Sequence, residues 1–189
     1  MNKKGKIILI SGPSGVGKKT IIDEVSKNKD LNLVFSVSMT TRPKRENEIH
    51  GKDYFFKTKE EFLQEIKNDM LIEYEEFCGN YYGTPKQYVY DVINQGKNII
   101  IEIEVKGAKT IFSKFKRDEM ISIFISPPSV NELKNRLLNR NTETIDVINN
   151  RIKVAKQELL EQKNYQYIVV NDDVSNATKK ISEIILNNK

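Results

Sequence analysis

The sequence predicts an α/β fold in which a parallel sheet is covered by helices on both faces. Three observations predict it. Short apolar runs alternate with helical segments along most of the 189 residues, the pattern of strands buried on both sides. A glycine-rich loop joins the first apolar run to the first helical segment. One stretch, 52–84, breaks the alternation with additional strand signals, which marks a small strand-rich insertion. The length suits one domain.

The elements follow in order. Lys6 to Ser11 is a short apolar run ending at Gly12, and Lys18 to Lys27 is helical, with Ile21, Ile22 and Val25 on one side. Leu33 to Val37 is a strand, and Ser38 to Gly51 is a polar loop carrying Pro43 and several cations. Lys52 to Lys57 and Leu71 to Phe77 read as strands around a helix from Lys59 to Lys67, with a further short strand at Tyr81 to Thr84. Pro85 suits the first turn of a helix from Lys86 to Asn94, ended by Gly96. Then come a strand (Asn98 to Ile103), a helix (Lys106 to Phe115) and a strand (Met120 to Ser126). Ser129 can cap a helix to Leu138, with Glu132 at the capping-box position. A long amphipathic helix from Ile145 to Lys163, a strand from Tyr167 to Val170 and a helix from Ser175 to Leu186 complete the chain.

Composition narrows the function. No apolar run approaches the roughly 20 residues of a membrane span, and the N-terminus lacks a signal-length apolar stretch. Cys78 is the single cysteine, so an intramolecular disulfide and a cysteine zinc cluster are excluded. These features lead to the expectation of a soluble, cytoplasmic, single-domain protein with no membrane partner. Lys and Arg total 31 against 26 Asp and Glu, a net charge of +5. No basic helix or aromatic-interleaved basic strand supports a nucleic-acid partner. Only six of the cations are Arg: Arg42, Arg45, Arg117, Arg136, Arg140 and Arg151. Arg supplies a planar guanidinium fork that Lys cannot copy, so where these six fall in a Lys-rich chain is informative.

The sharpest motif is Gly12-Pro13-Ser14-Gly15-Val16-Gly17-Lys18-Lys19-Thr20 between strand and helix. Glycines there let backbone N–H groups turn inward, and the helix N-terminus adds partial positive charge. Lys18 can reach the β- and γ-phosphates of a nucleotide. The P-loop pattern asks for Ser or Thr directly after this Lys, to ligate Mg²⁺. Lys19 stands there, and Thr20 is rotated by about 100°. A direct hydroxyl–metal contact is therefore not expected, and the metal ligands stay unassigned. Mg²⁺ is expected as MgATP, held by phosphates and waters.

With that loop, the chain resembles guanylate kinase, a P-loop nucleoside monophosphate kinase. The resemblance rests on Gly12 to Lys18, Ser36 to Arg45, Gly51 to Phe56, Phe77 to Thr84, Pro127 to Ser129, Arg140 to Glu143 and Val170 to Asp173, in order along nearly the whole chain. It implies a P-loop three-layer fold over 4–187, with the core at 4–35 and 89–187. It also implies a GMP-binding insertion at about 36–88 and a helical lid at about 136–151. The implied reaction is ATP + GMP giving ADP + GDP, with dGMP also accepted in the family.

The resemblance also assigns roles. Gly12 to Thr20 and Asn171 fall on the ATP side, Asn171 near the adenine. Glu73 matches the acid that reads guanine, whose N1–H and N2 amine are two adjacent donors for one carboxylate. Ser38 and Thr84 match hydroxyls on the other edge of the base. Arg42, Arg45, Tyr54 and Tyr82 match the clamp on the GMP phosphate, with Glu48 orienting an Arg or touching the ligand. Glu102 and Glu104 end a strand with both carboxylates on one face. Lys18, Arg136, Arg140 and Arg151 match the catalytic cations, the last three on the lid. The rival readings are a non-catalytic peptide-binding relative, a kinase for another nucleotide and a nucleic-acid binder. The intact loop, Glu73 and the dispersed Lys respectively argue against them.

Overall fold

The structure is a computed structural model that describes residues 4–77, 79–139 and 144–188. Its strands are β1 (Ile7–Ser11), β2 (Leu33–Phe35), β3 (Met39–Thr40), β4 (Phe55–Phe56), β5 (Leu71–Phe77), β6 (Asn80–Pro85), β7 (Asn98–Glu102), β8 (Met120–Ser126) and β9 (Tyr167–Val170). Its helices are α1 (Lys18–Val25), α2 (Lys59–Lys67), α3 (Lys86–Asn94), α4 (Val105–Lys114), α5 (Val130–Leu138), α6 (Ile145–Leu160) and α7 (Val174–Asn187).

Five strands form a parallel sheet in the order β2-β7-β1-β8-β9. β1 lies at its centre, and Ile7, Ile8, Leu9 and Ile10 are wholly buried. Alternation sends Ile8 and Ile10 to one face, against Ile21, Val25, Leu133 and Ile181. Ile7 and Leu9 go to the other, against Val89, Ala108, Ile111 and Tyr165. Burying each such side chain stabilises the fold by about 1.5–3 kcal/mol. This buried run is the rigid root from which the glycine loop departs at the carboxyl edge of the sheet, where ligands of open α/β sheets bind.

A second sheet, in the order β4-β3-β6-β5, stands apart from the first. It has its own small core of Met39, Phe62 and Leu71. β5 pairs antiparallel with β6, and the register shifts between Leu71 and Tyr74. α2 covers this sheet and opens with a capping box: Glu61 N donates to Thr58 Oγ1 at 3.1 Å, and Thr58 N donates to Glu61 Oε2 at 2.8 Å.

Several boundaries differ from the sequence expectations. The polar loop after β2 contains β3, two residues held by β4 and β6. Thr40 and Thr41 end it by turning their hydroxyls onto the Tyr81 backbone at 3.0 and 2.9 Å. Of Lys52 to Lys57, only Phe55–Phe56 is strand. The long helix stops at Leu160, and residues 161–164 tighten into a 3₁₀ turn. Ser129 Oγ accepts from Glu132 N at 3.0 Å, but the Glu132 carboxylate turns to Arg136 and the reciprocal capping bond is not made. Among the described residues, no helix is long and apolar enough to cross a membrane.

Candidate active site

The glycine loop wraps around the side chain of Lys18, which is only 8% exposed. Its Nζ donates to Gly12 O at 2.7 Å and to Pro13 O at 3.4 Å. An ammonium parked on backbone carbonyls at the mouth of a loop is poised to exchange them for phosphate oxygens, which bind it more strongly. Gly17 caps α1 with φ of 95°, and a Cβ there would meet Asn171 Nδ2 at 2.7 Å. That amide donates to Val16 O at 2.7 Å. The side chain of Asn171 thus braces the loop from behind. The Asn171 backbone N–H is engaged as well, donating to Ser126 O at 2.8 Å.

Arg136 joins the same brace. Its guanidinium donates to Glu132 Oε1 at 3.0 Å, to Asn171 O at 3.0 Å and to Val16 O at 3.5 Å. Arg151, from α6, donates to Ser14 Oγ at 3.4 Å. Two of the three cations expected over the phosphates are therefore anchored to the loop itself. Arg140 and the motif 140–143 lie outside the described residues, as does Cys78. Lys19 and Thr20 are exposed in the first turn of α1, and Lys19 lies 3.8 Å from Asp23.

A cleft of about 430 Å³ opens between the two sheets. Ser38, Tyr54, Glu73 and Tyr82 line it from the insertion, and Glu102 and Glu104 from the core. Glu73 is 8% exposed and accepts from Thr84 Oγ1 at 2.6 Å. Burial pushes its carboxyl above the usual carboxylate range, while the Thr84 hydroxyl pulls the other way. Its placement comes from the register shift in β5. In regular alternation Ile72 and Glu73 would face opposite ways, yet both are buried. A bulge re-aims side chains in this manner.

Arg42 and Glu48 cluster beside Tyr54 and Tyr82, the two tyrosines that line the cleft. The Arg42 fork binds Glu48 at 2.6 and 3.0 Å and Pro43 O at 2.8 Å. Its guanidinium lies 5.4 Å from the Tyr54 ring centre, and Tyr54 meets Tyr82 edge-on. The Arg42 bond holds the Glu48 carboxyl below its ordinary range. Glu48 also accepts from Arg45 N at 2.9 Å, which leaves the exposed Arg45 side chain directed by a fixed backbone. Burial raises the Tyr54 phenol. Glu102 ends β7, and Glu104 occupies the N-cap position of α4 without a side-chain capping bond. Burial raises the Glu102 carboxyl, with Lys18 opposing.

The sequence expectations missed Ser36, Asp53 and Glu75 in this cleft. The Ser36 hydroxyl is buried without a protein partner. Glu75 carried the one available signal, being two residues from Glu73 on the same strand. Glu158 of α6 was also missed. Burial and the nearby Glu104 raise its carboxyl, and Lys18 lowers it. His50 is an exposed loop residue whose Nδ1 accepts from Phe56 N at 3.2 Å.

A central strand feeding a phosphate loop and buried lysine, across from a polar cleft on a second sheet, defines a P-loop kinase. The guanylate kinase family model matches residues 4–188, and the chain belongs to the guanylate kinase family. A guanylate kinase of Malacoplasma penetrans (strain HF-2) is 54% identical over 184 residues, covering 97% of this chain and 94% of that one. One of Bacillus subtilis (strain 168) is 46% identical over 186 residues, covering 98% and 90%. The crystal structure of guanylate kinase from Anaplasma phagocytophilum matches with a TM-score of 0.72 at 34% identity, over 98% of this chain and 86% of that one.

Proposed function

We infer that this chain transfers the γ-phosphoryl group of ATP to GMP, yielding ADP and GDP in purine nucleotide metabolism. The observation that carries the substrate assignment is Glu73, a buried carboxylate aimed into the cleft opposite the phosphate loop. One carboxylate accepts both N1–H and the N2 amine of guanine. Adenine offers an acceptor at N1 and would face an anion instead. Ser38 and Thr84 take the other edge of the base. Arg42, Arg45, Tyr54 and Tyr82 hold the GMP phosphate, with Glu48 orienting the Arg42 fork. We extend the acceptor to dGMP on the family resemblance and place the activity in the cytoplasm.

On the ATP side, the backbone N–H groups from Ser14 to Thr20, at the N-terminus of α1, receive the phosphates. Lys18 exchanges Gly12 O for phosphate oxygen, and Arg151 and Arg140 follow with closure of the lid. Arg136 and Asn171 keep the loop in shape. A GMP phosphate oxygen then attacks the γ-phosphorus in line while its bond to the β-bridging oxygen breaks, and ADP carries the charge away. The attacking oxygen is already ionised, so positioning and charge neutralisation do the catalysis. Glu102 and Glu104, hard oxygen donors beside Lys18, suit a hydrated Mg²⁺ brought with ATP. That ion neutralises phosphate charge when bound. Among the described residues, no three His, Cys, Asp or Glu groups converge to cage a metal directly.

Glu73→Gln tests this reading. Gln replaces one of the two acceptors with a donor facing a donor. The change should lower kcat/KM for GMP by about 100-fold, as expected for disrupted charge-assisted hydrogen bonds, and raise AMP use relative to GMP. An unchanged GMP:AMP ratio would overturn the assignment.

A further inference from the structure

Glu73 has a back wall that no part of the reaction scheme uses. Behind β5 lies a second cavity of about 390 Å³, lined by Ile66, Asp69, Leu71, Glu73, Thr110 and Lys114, among others. Its far side is α4, an element of the phosphate-loop core. Thr110 and Lys114 are four apart on that helix and share a face. Closer to its start, a Cβ on Gly107 would lie 3.5 Å from Glu73 Oε2. α4 thus runs directly behind the strand that presents Glu73.

Lys114 sits at the end of α4 and reaches across. Its Nζ donates to Leu71 O at 3.2 Å and lies 3.8 Å from Asp69 Oδ1. Leu71 is the residue at which the register of β5 begins to shift. The bond therefore falls on the paired residue that immediately precedes the bulge. Leu71 stands opposite Pro85, which has no N–H, on the edge strand of its sheet, so its carbonyl needs another donor, and Lys114 supplies one.

We propose that Lys114 is a positioning residue for guanine recognition: from the core helix it pins the bulge of β5 that aims Glu73 into the cleft. This rests on the reading of Glu73 as the guanine acceptor. Electrostatics adds to the geometry. From β6, the Thr84 hydroxyl and backbone favour the ionised form of Glu73. On β5, Glu75 opposes it, and Glu75 is itself paired with Lys106 of α4 at 3.2 Å. Lys114 is the cation that favours ionisation, against the larger cost of burial. Asp69 faces Lys114 and is held chiefly by Lys86. Removing Lys114 loosens the bulge and makes the Glu73 carboxylate harder to ionise.

The test measures initial rates against GMP at saturating MgATP across pH, for wild type, Lys114→Met, Lys114→Arg and Glu73→Gln. Lys114→Met should raise KM for GMP roughly three- to tenfold at neutral pH, the equivalent of one hydrogen bond. It should also move the acid limb of kcat/KM for GMP to higher pH and leave KM for ATP within about twofold. Lys114→Arg should restore both. The GMP phosphate titrates identically in every variant and cancels in the ratio to wild type. An unmoved acid limb in Lys114→Met, with Glu73→Gln still losing GMP preference, overturns the role of Lys114 alone. Retained GMP preference in Glu73→Gln overturns the reading beneath it as well. Lys114 is 37% exposed, so its replacement tests recognition without emptying the core.

Discussion

On the proposed reading, Glu73 works as an anion in a place that disfavours anions. Guanine recognition needs the carboxylate, and burial pushes its pKa up. A carboxyl whose pKa is raised by folding binds its proton more tightly in the native state. Its ionisation therefore costs stability as pH rises from the ordinary carboxylate range through the folded pKa. Glu73→Gln removes that titration and can keep an acceptor for Thr84. Denaturant unfolding should show the variant more stable than wild type at pH 7–8, with the difference shrinking as pH falls toward 4. A variant less stable at pH 8 than at pH 4, relative to wild type, would contradict this. Such a trade of stability for function is common at active sites. Glu73 was singled out through resemblance. Its burial was not, because simple alternation places it opposite Ile72.

At the scale of elements, the phosphate loop was the most legible part of the chain. Its glycines and Lys18 stand in sequence order, and β1 and α1 flank it. What the sequence could not display was the brace behind it. Asn171 and Arg136 are distant in the chain, and both reach Val16 O. Three-dimensional packing gives these residues their present partners, so the sequence shows only a turn and a helix end. Gly17→Ala probes the brace. It forces a Cβ onto a left-handed backbone and against Asn171 Nδ2. It should cost about 1–3 kcal/mol in unfolding free energy and raise KM for ATP roughly tenfold, leaving KM for GMP nearly unchanged. Unaltered stability with unaltered ATP binding would remove the brace from the account. The two-residue strand β3 was missed for a different reason: two residues cannot show a period.

At the scale of the molecule, the site belongs to neither sheet alone. The five-stranded sheet carries the phosphate loop, Glu102 and Glu104. The four-stranded sheet carries Glu73, Tyr82 and Thr84. The alternation of strands and helices predicted the first sheet, and its failure over 52–84 predicted that a second unit exists. The cleft between them was not legible, since it depends on how two separately folded layers face each other. Arginine placement anticipated it in part. Arg42 lies against Tyr54 of the cleft wall, and Arg136 and Arg151 at the loop, while Arg117 is engaged through its backbone, its carbonyl accepting from Gln166 Nε2.

The central claim is that this cleft selects guanine for phosphoryl transfer from the loop. Its most direct test is transfer from MgATP to GMP, AMP, CMP and UMP measured side by side with the unmodified chain. The account predicts rapid formation of ADP and GDP with GMP and at least a 100-fold lower kcat/KM for each of the other three. Comparable turnover of AMP, or no transfer to GMP, would contradict it.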